Sequence, residues 1–356
     1  MNKPNVKKLN GIIDCDVHPH PSDYNVIKSY MSEPWRSRFN GNGKRGIYDN
    51  PIHVNRLDSV TPHGGYPCSD PSYMREQLLD EYGINYAILL PRAFATKYPS
   101  PDFATVVASA FNDWLADVWL DNNNEDGRCK GSITVAHQDP QAAAKEIDRW
   151  AGHPHMVQVM MDSGARAPFG QRQYYPIYAA CERNGFPIAL HPGTEGVGPN
   201  EIMTPGYPTT YIEWHTGLML SFQAHLISFI TEGVFERFPG LKLVLVEGGS
   251  AWLPPLLWRL DAEWKPLREE VPWVKKRPSQ YILEHVRITS QPLENPDNRE
   301  HLLQMFEMMD AKNILMFSSD YPHWDFDSPT RSFPKLPEEL KKRIFFENAR
   351  ALYNLD

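Results

Sequence analysis

The 356 residues carry 36 Lys and Arg against 44 Asp and Glu, a formal net charge of −8 with a pI near 5.9, and 41% of them are hydrophobic. This balance excludes the basic surface of a nucleic-acid-binding protein, and no stretch approaches the ~20 apolar residues of a membrane span. The N-terminal MNKPNVKKLNG has basic residues but no apolar core, so no secretory signal is expected, and Cys15, Cys68, Cys129 and Cys181, scattered without CxxC spacing, predict reduced thiols in a cytoplasmic protein.

The first element, GIIDCDVHPH over 11–20, reads as a short apolar strand ending on polar groups. Residues i and i+2 of a strand share a face, so Asp16 and His18 aim one way and Val17 the other. A Pro/Gly/Asn-rich stretch over about 19–71 reads as an insertion. SYMREQLLDEYG has helical spacing and a glycine stop, and INYAILLPR is a strand ending at Arg92. A helix over 101–121 precedes the strand CKGSITVAH, which ends at His137. Asp139-Pro140 opens the helix QAAAKEIDRWA, and MVQVMM ends near Asp162. YYPIYAACERNG is a helix, and FPIALHPG is a strand ending on His191. A Gly/Pro-rich loop over about 193–208 leads to a helical region that runs to FERFPG, and LKLVLVEGG is a strand ending at Glu247. Next come the helix SAWLPPLLWRLDAEW, the strand HVRITSQ, the helix NREHLLQMFEMMD, the strand NILMFSSD ending on Asp320, and a helix over about 336–353.

Eight apolar strands alternating with helices imply a parallel sheet covered on both faces, and eight favour a closed (β/α)8 TIM barrel over an open doubly wound sheet. The first strand lacks a following GxGxxG, which weakens a dinucleotide fold. The expectation is an α/β protein whose residues 1–356 form one domain, with 19–71 and 193–208 as lid loops over the C-terminal face.

Active sites of such barrels lie at the C-terminal strand ends. Here those ends carry Asp16 and His18, Arg92, His137, His191, Glu247 and Asp320. Burying such groups apart and unpaired would cost several kcal/mol, a cost that a bound cation removes. Imidazole and carboxylate together suit Zn2+, and also Mn2+ or Fe2+. Asp16, His18, His191 and Asp320 would hold one such ion and leave a position open for water or substrate. Arg92 is a candidate anchor for a substrate carboxylate. His137, His215 and His323 are candidates for substrate contact, with His323 alternatively bonded to Asp325. Trp324 and Phe326 could contact an apolar ring, and His20 is expected behind the site or at the surface.

IIDCDVH, IALHPG, GVFERFPGLKLVLVEGG with the following WLPPLLWRLD, and FSSDYPHWD occur in that order across nearly the whole chain. In these motifs the chain resembles the amidohydrolase superfamily, in the branch of aminocarboxymuconate-semialdehyde decarboxylase, resorcylate-type decarboxylases and oxalomesaconate hydratase. The resemblance implies one catalytic divalent metal, zinc by expectation, on Asp16, His18, His191 and Asp320, with Asp320 carrying the proton. It departs at strand 6, where the decarboxylases usually have a proton-transferring histidine and this chain has Glu247, which could replace that acid/base or bind the metal through water. The expected function is hydrolysis of a small cyclic or aromatic carboxylate, or of a ring-cleavage product, by a metal-activated water. The alternative is non-oxidative decarboxylation of an aromatic or muconate-type acid. A non-catalytic binding barrel is the reading from another class. The expected partners are a small-molecule substrate and a second copy in a homodimer.

Overall fold

In the computed structural model the described residues are 11–41, 50, 52, 54–202 and 205–356. The N-terminal segment read as lacking a signal, and parts of both expected insertions, lie outside the described residues.

Eight strands form one sheet in chain order: β1 (Ile13–Val17), β2 (Tyr86–Leu89), β3 (Cys129–Thr134), β4 (Met156–Asp162), β5 (Ile188–His191), β6 (Leu243–Leu245), β7 (Val286–Thr289) and β8 (Leu315–Met316). Every neighbouring pair is parallel. The sheet closes on itself where Cys15 N donates to Phe317 O at 3.0 Å and Val17 bridges Tyr321. The chain therefore forms a (β/α)8 barrel, as the alternation of elements predicts.

Ile13, Cys15, Ile88, Leu90, Met160, Ala189, Val244, Val246 and Met316 pack together inside the barrel, while Val17, Leu89, Val159, Leu190 and Leu245 join the larger core under the helices. The pairing of β1 with β2 slips between Asp14 and Val17. Such a bulge shifts the phase of alternation by one residue. Cys15 thus fills the barrel floor while Asp16 and His18, on either side of outward-facing Val17, look into its mouth.

Helix starts follow local chemistry. Asp70, Ser100, Asp139 and Asn298 accept backbone N–H groups at helix N-termini, three of them directly before a proline at the first helical position. Gly185, at φ 72°, ends the helix Tyr175–Asn184 in the left-handed conformation that a glycine adopts without strain. The strand expected over NILMFSSD is shorter than its sequence suggests. Asn313 and Ile314 lie in the helical turn Ala311–Ile314, and only Leu315 and Met316 pair with β7. The stretch to Asp320 is extended chain stitched to β1 by single hydrogen bonds, including Asp320 N to Asp16 O at 3.1 Å.

The insertion after β1 crosses the barrel mouth. Its residues 54–56 run antiparallel to the loop after β8, with Trp324 N donating to Val54 O and Arg56 N to Pro322 O, both at 2.9 Å.

Candidate metal centre

Five side chains converge at the mouth: Asp16 and His18 from β1, His191 from the end of β5, Glu247 after β6 and Asp320 after β8. Each offers one donor atom, and the five atoms lie within 4.8 Å of one another. Asp16, His18 and Asp320 are completely buried, and His191 is 1% exposed. His18 Nε2 stands 3.1 Å from Asp16 Oδ1 and 2.9 Å from Asp320 Oδ1, and His191 Nε2 stands 2.9 Å from Glu247 Oε2. Two of the five need an unusual backbone. Glu247 and Asp320 both have φ 60°, a left-handed conformation that costs a residue with a Cβ about 1–3 kcal/mol. Val246 already points into the barrel, so a regular strand would turn Glu247 outward. The left-handed turn brings it back to the mouth.

The electrostatics of the cluster call for positive charge. Burial raises the carboxyl of Asp320 well above its ordinary range, with Glu247 adding to the shift. Burial opposes charge on His18, yet Asp16 and Asp320 push it up to about 10. Burial likewise opposes ionisation of Glu247, which the His191 imidazole nevertheless holds down to about 2. His18 Nδ1 pairs with Leu90 O at 2.9 Å. That contact occupies Nδ1 and leaves Nε2 facing two carboxylates, where a metal ion could take the place of its proton. Asp16 faces the two imidazoles, with Oδ1 3.1 Å from His18 Nε2 and Oδ2 3.6 Å from His191 Nε2. Buried imidazoles and carboxylates crowded nitrogen to oxygen can share one cation, and two imidazoles with three carboxylates suit a divalent one. The donor set fits a divalent metal ion.

The cluster opens into a cavity of about 880 Å³ whose wall includes His20, Arg92, Glu247, Tyr211, Trp214 and Trp324. Arg92 holds the end of β5: Nη2 donates to Pro192 O, Nη1 reaches His191 Nδ1, and the guanidinium lies 4.6 Å above the Phe94 ring. His215, from the helix Tyr211–Gly217, lines the cavity with Nε2 3.6 Å from Asp325 Oδ2. His323 lines it too, but its Nδ1 pairs with Asp320 Oδ1 at 2.6 Å and not with Asp325, and its ring stacks on His18 at 4.5 Å. His20 is not at the surface: it is 2% exposed and edge-on to Tyr66 at the cavity wall. Trp324 lines the cavity as expected, whereas Phe326 packs under the Arg56 guanidinium.

His137 is a correction. It does not reach the cavity, because β3 turns it behind the loop after β4, where Nε2 bonds Gly164 O at 2.9 Å and the ring meets Phe169 edge-on. Burial lowers its basicity to about 3, opposed by the Gly164 carbonyl.

Three participants carried little sequence signal. Gln291 Nε2 touches Asp320 Oδ2 at 3.2 Å and Asp325 Oδ2 at 3.0 Å. Asp325 is buried enough that its carboxyl rises to about 8, helped by Asp320 and Glu247. Glu195, 4% exposed, faces the cavity and accepts from Ser163 Oγ. Gln291 ends the expected strand HVRITSQ but is a neutral amide, which marks neither a metal ligand nor an acid, and Glu195 sits in a loop.

The sequence model of the Amidohydrolase family matches residues 13–355. The chain belongs to the amidohydrolase family. It is an enzyme of the metal-dependent hydrolase or carboxy-lyase type, and the non-catalytic barrel is set aside. A gamma-resorcylate decarboxylase of Rhodococcus jostii is 26% identical over 302 residues, 80% of this chain and 87% of that one. A 5-carboxyvanillate decarboxylase of Novosphingobium aromaticivorans, solved with manganese and 4-hydroxy-3-methoxy-5-nitrobenzoic acid, superposes with TM-score 0.72 at 21% identity over 97% of this chain and 96% of its own. An amidohydrolase of Mycobacterium avium subsp. paratuberculosis superposes with TM-score 0.75 at 22% identity, covering 97% and 100% of the two chains. At that identity the two structures support the barrel fold of this family member. No helix among the described residues is long and apolar enough to cross a membrane.

Proposed function

We propose that this amidohydrolase-family enzyme is a non-oxidative decarboxylase of a small aromatic acid, working with Mn2+ held by Asp16, His18, His191 and Asp320, with Glu247 as a fifth donor. The observation that carries the reading is the gamma-resorcylate decarboxylase relative, aligned over 80% of this chain and 87% of its own. The hydrolytic expectation gives way to its carboxy-lyase alternative on the same ground. Manganese replaces zinc as the favoured ion because a solved barrel of the same fold holds it, and a carboxylate-rich donor set suits it. When bound, the ion supplies Lewis-acid charge to the oxygens of the substrate's carboxylate and its neighbour.

The chain's own residues do the rest. Arg92 contributes positive charge at the wall while steadying His191 and the Pro192 carbonyl. Tyr211, Trp214 and Trp324 give the ring an apolar face to lie against, with His215 beside them. Asp320 and His323, 2.6 Å apart, share a proton between Oδ1 and Nδ1. As the bond to the carboxyl carbon breaks, CO2 leaves and the ring carbon keeps the electron pair. The proton of this pair goes to that carbon, and water restores it. Four free, buried cysteines accord with a reducing cytoplasm. The resemblance implies a homodimer, which light scattering checks.

The test is CO2 release from 2,6-dihydroxybenzoate and 5-carboxyvanillate by Mn2+-loaded protein, with one phenol formed per CO2. Hydrolysis of lactones or amides by the same preparation, with no CO2 from any aromatic acid, would return the enzyme to the hydrolase class.

A further inference from the structure

A second set of donors stands beside the first. His215, Glu247 and Asp325 each offer one atom, and the three atoms lie within 4.8 Å of one another. Glu247 is common to both sets. The other two come from elements the first set does not use, the helix Tyr211–Gly217 and the loop beyond Asp320. His215 Nε2 and Asp325 Oδ2 are 3.6 Å apart and partly buried, at 22% and 14% side-chain exposure. That distance is too long for a hydrogen bond. It matches the edge of a coordination polyhedron, since two ligands each about 2.1 Å from a small divalent ion lie roughly 3.0–3.6 Å apart.

Charge argues the same way. Asp16, Glu247, Asp320 and Asp325 place four carboxylates around the two sets. The nearby guanidinium of Arg92 lies 3.9 Å from another carboxylate, Asp162. When all four are ionised, one divalent ion offsets two of their charges, and a second ion would offset the other two. A third observation concerns Gln291. Its Nε2 bridges Asp320 of the first set and Asp325 of the second, while its Oε1, completely buried, has no hydrogen-bond partner among the described residues. A buried amide oxygen without a donor, next to both sets, is a group that a cation satisfies.

We infer that His215, Glu247 and Asp325 form a second divalent-cation site, joined to the first through Glu247 as a shared carboxylate. An ion held there would supply further positive charge at the cavity wall, which His215, Glu247 and Asp325 all line. The inference rests on the proposed metal centre, and the experiment separates the two.

The experiment is equilibrium dialysis of chelator-stripped protein against Mn2+, followed by metal analysis and electron paramagnetic resonance of the bound ions. The wild-type chain takes up two Mn2+ with a broadened, spin-coupled spectrum, and the His215→Ala/Asp325→Asn variant takes up one, with the isolated six-line pattern. The wild-type spectrum alone decides the matter if the variant does not fold. One uncoupled Mn2+ in the wild type rejects the second site and leaves the first standing. Two uncoupled Mn2+, unchanged in number in the folded variant, place the extra ion elsewhere and overturn the assignment. No bound Mn2+ removes both sites together.

Discussion

Glu247 and Asp320 carry the same backbone device: both sit just past a strand, and both have φ 60°. In each, strain of about 1–3 kcal/mol is kept where it turns a carboxylate toward the other donors. Asp320→Asn keeps the shape and removes the charge. The variant is expected to lose at least about 10-fold in Mn2+ affinity, by analogy with the 10–100-fold cost of removing mere supporting contacts, and nearly all decarboxylation. Metal analysis after dialysis checks the first and CO2 release the second. His225 makes a separate prediction. Its Nδ1 accepts from Phe169 N at 3.1 Å and its Nε2 donates to Ser163 O at 2.7 Å, so the ring is neutral and its tautomer set. Burial lowers it to about 4, against the pull of the Ser163 carbonyl, and His137 is lowered in the same way to about 3. The unfolded chain takes up these protons below pH ~6.5, but the folded chain does not until pH is near 4 and 3. Their contribution to stability is therefore complete above about 6.5 and shrinks as pH falls toward those folded values. Between pH 7 and 5 each histidine costs roughly 2 kcal/mol of stability. Urea unfolding with chelator present should show that loss, and His225→Gln should lose about half of it; an unchanged pH slope in the variant rejects the account. The sequence makes Asp16, His18, His191, Glu247 and Asp320 visible because each stands at or just beyond an apolar run. It ranks His137 and His215 alike, since nothing in either neighbourhood says which histidine faces the cavity.

Among the elements, the close approach of the loop after β4 to the helix Met219–Thr231 depends on one glycine. A Cβ at Gly170 would fall on the backbone carbonyl of Ser228, and Gly170 N donates to Ser228 Oγ at 3.0 Å. Gly170→Ala must push the helix away, and overpacking of this kind costs about 1–3 kcal/mol. A lowered melting temperature is the expected result, and calorimetry reads it. The helix limits were legible where capping chemistry marks them, as at Asp139-Pro140 and Gly185. The extent of β8 was not. NILMFSSD has an apolar run long enough for a strand, yet Asn313 and Ile314 turn helically, and the chain beyond Met316 joins β1 through single contacts. Barrel closure, not strand propensity, sets the length of that last strand.

For the whole molecule, the metal is expected to be a large part of stability at the barrel mouth. A ligand that binds the folded chain and not the unfolded one adds about 2.7 kcal/mol at a hundred times its dissociation constant. Mn2+ should therefore raise the melting temperature of stripped protein and chelator should lower it, while in Asp16→Asn both shifts should be smaller. A stripped protein whose melting ignores Mn2+ would refute a divalent site built on these residues. The sequence by itself determined the alternation of strands and helices, and with it the barrel, because period and strand count are local properties of the chain. It also marked the candidate donors at the strand ends, because parallel strands bring their C-terminal ends to one rim, while the left-handed turns at Glu247 and Asp320 aim two of them inward. Only the tertiary structure decided which of the remaining polar residues face the cavity. Asp325 and Gln291 meet Asp320, and His215 meets Asp325, through loops and a helix far apart in the chain, and such meetings depend on how the closed barrel seats its loops, which no local pattern encodes.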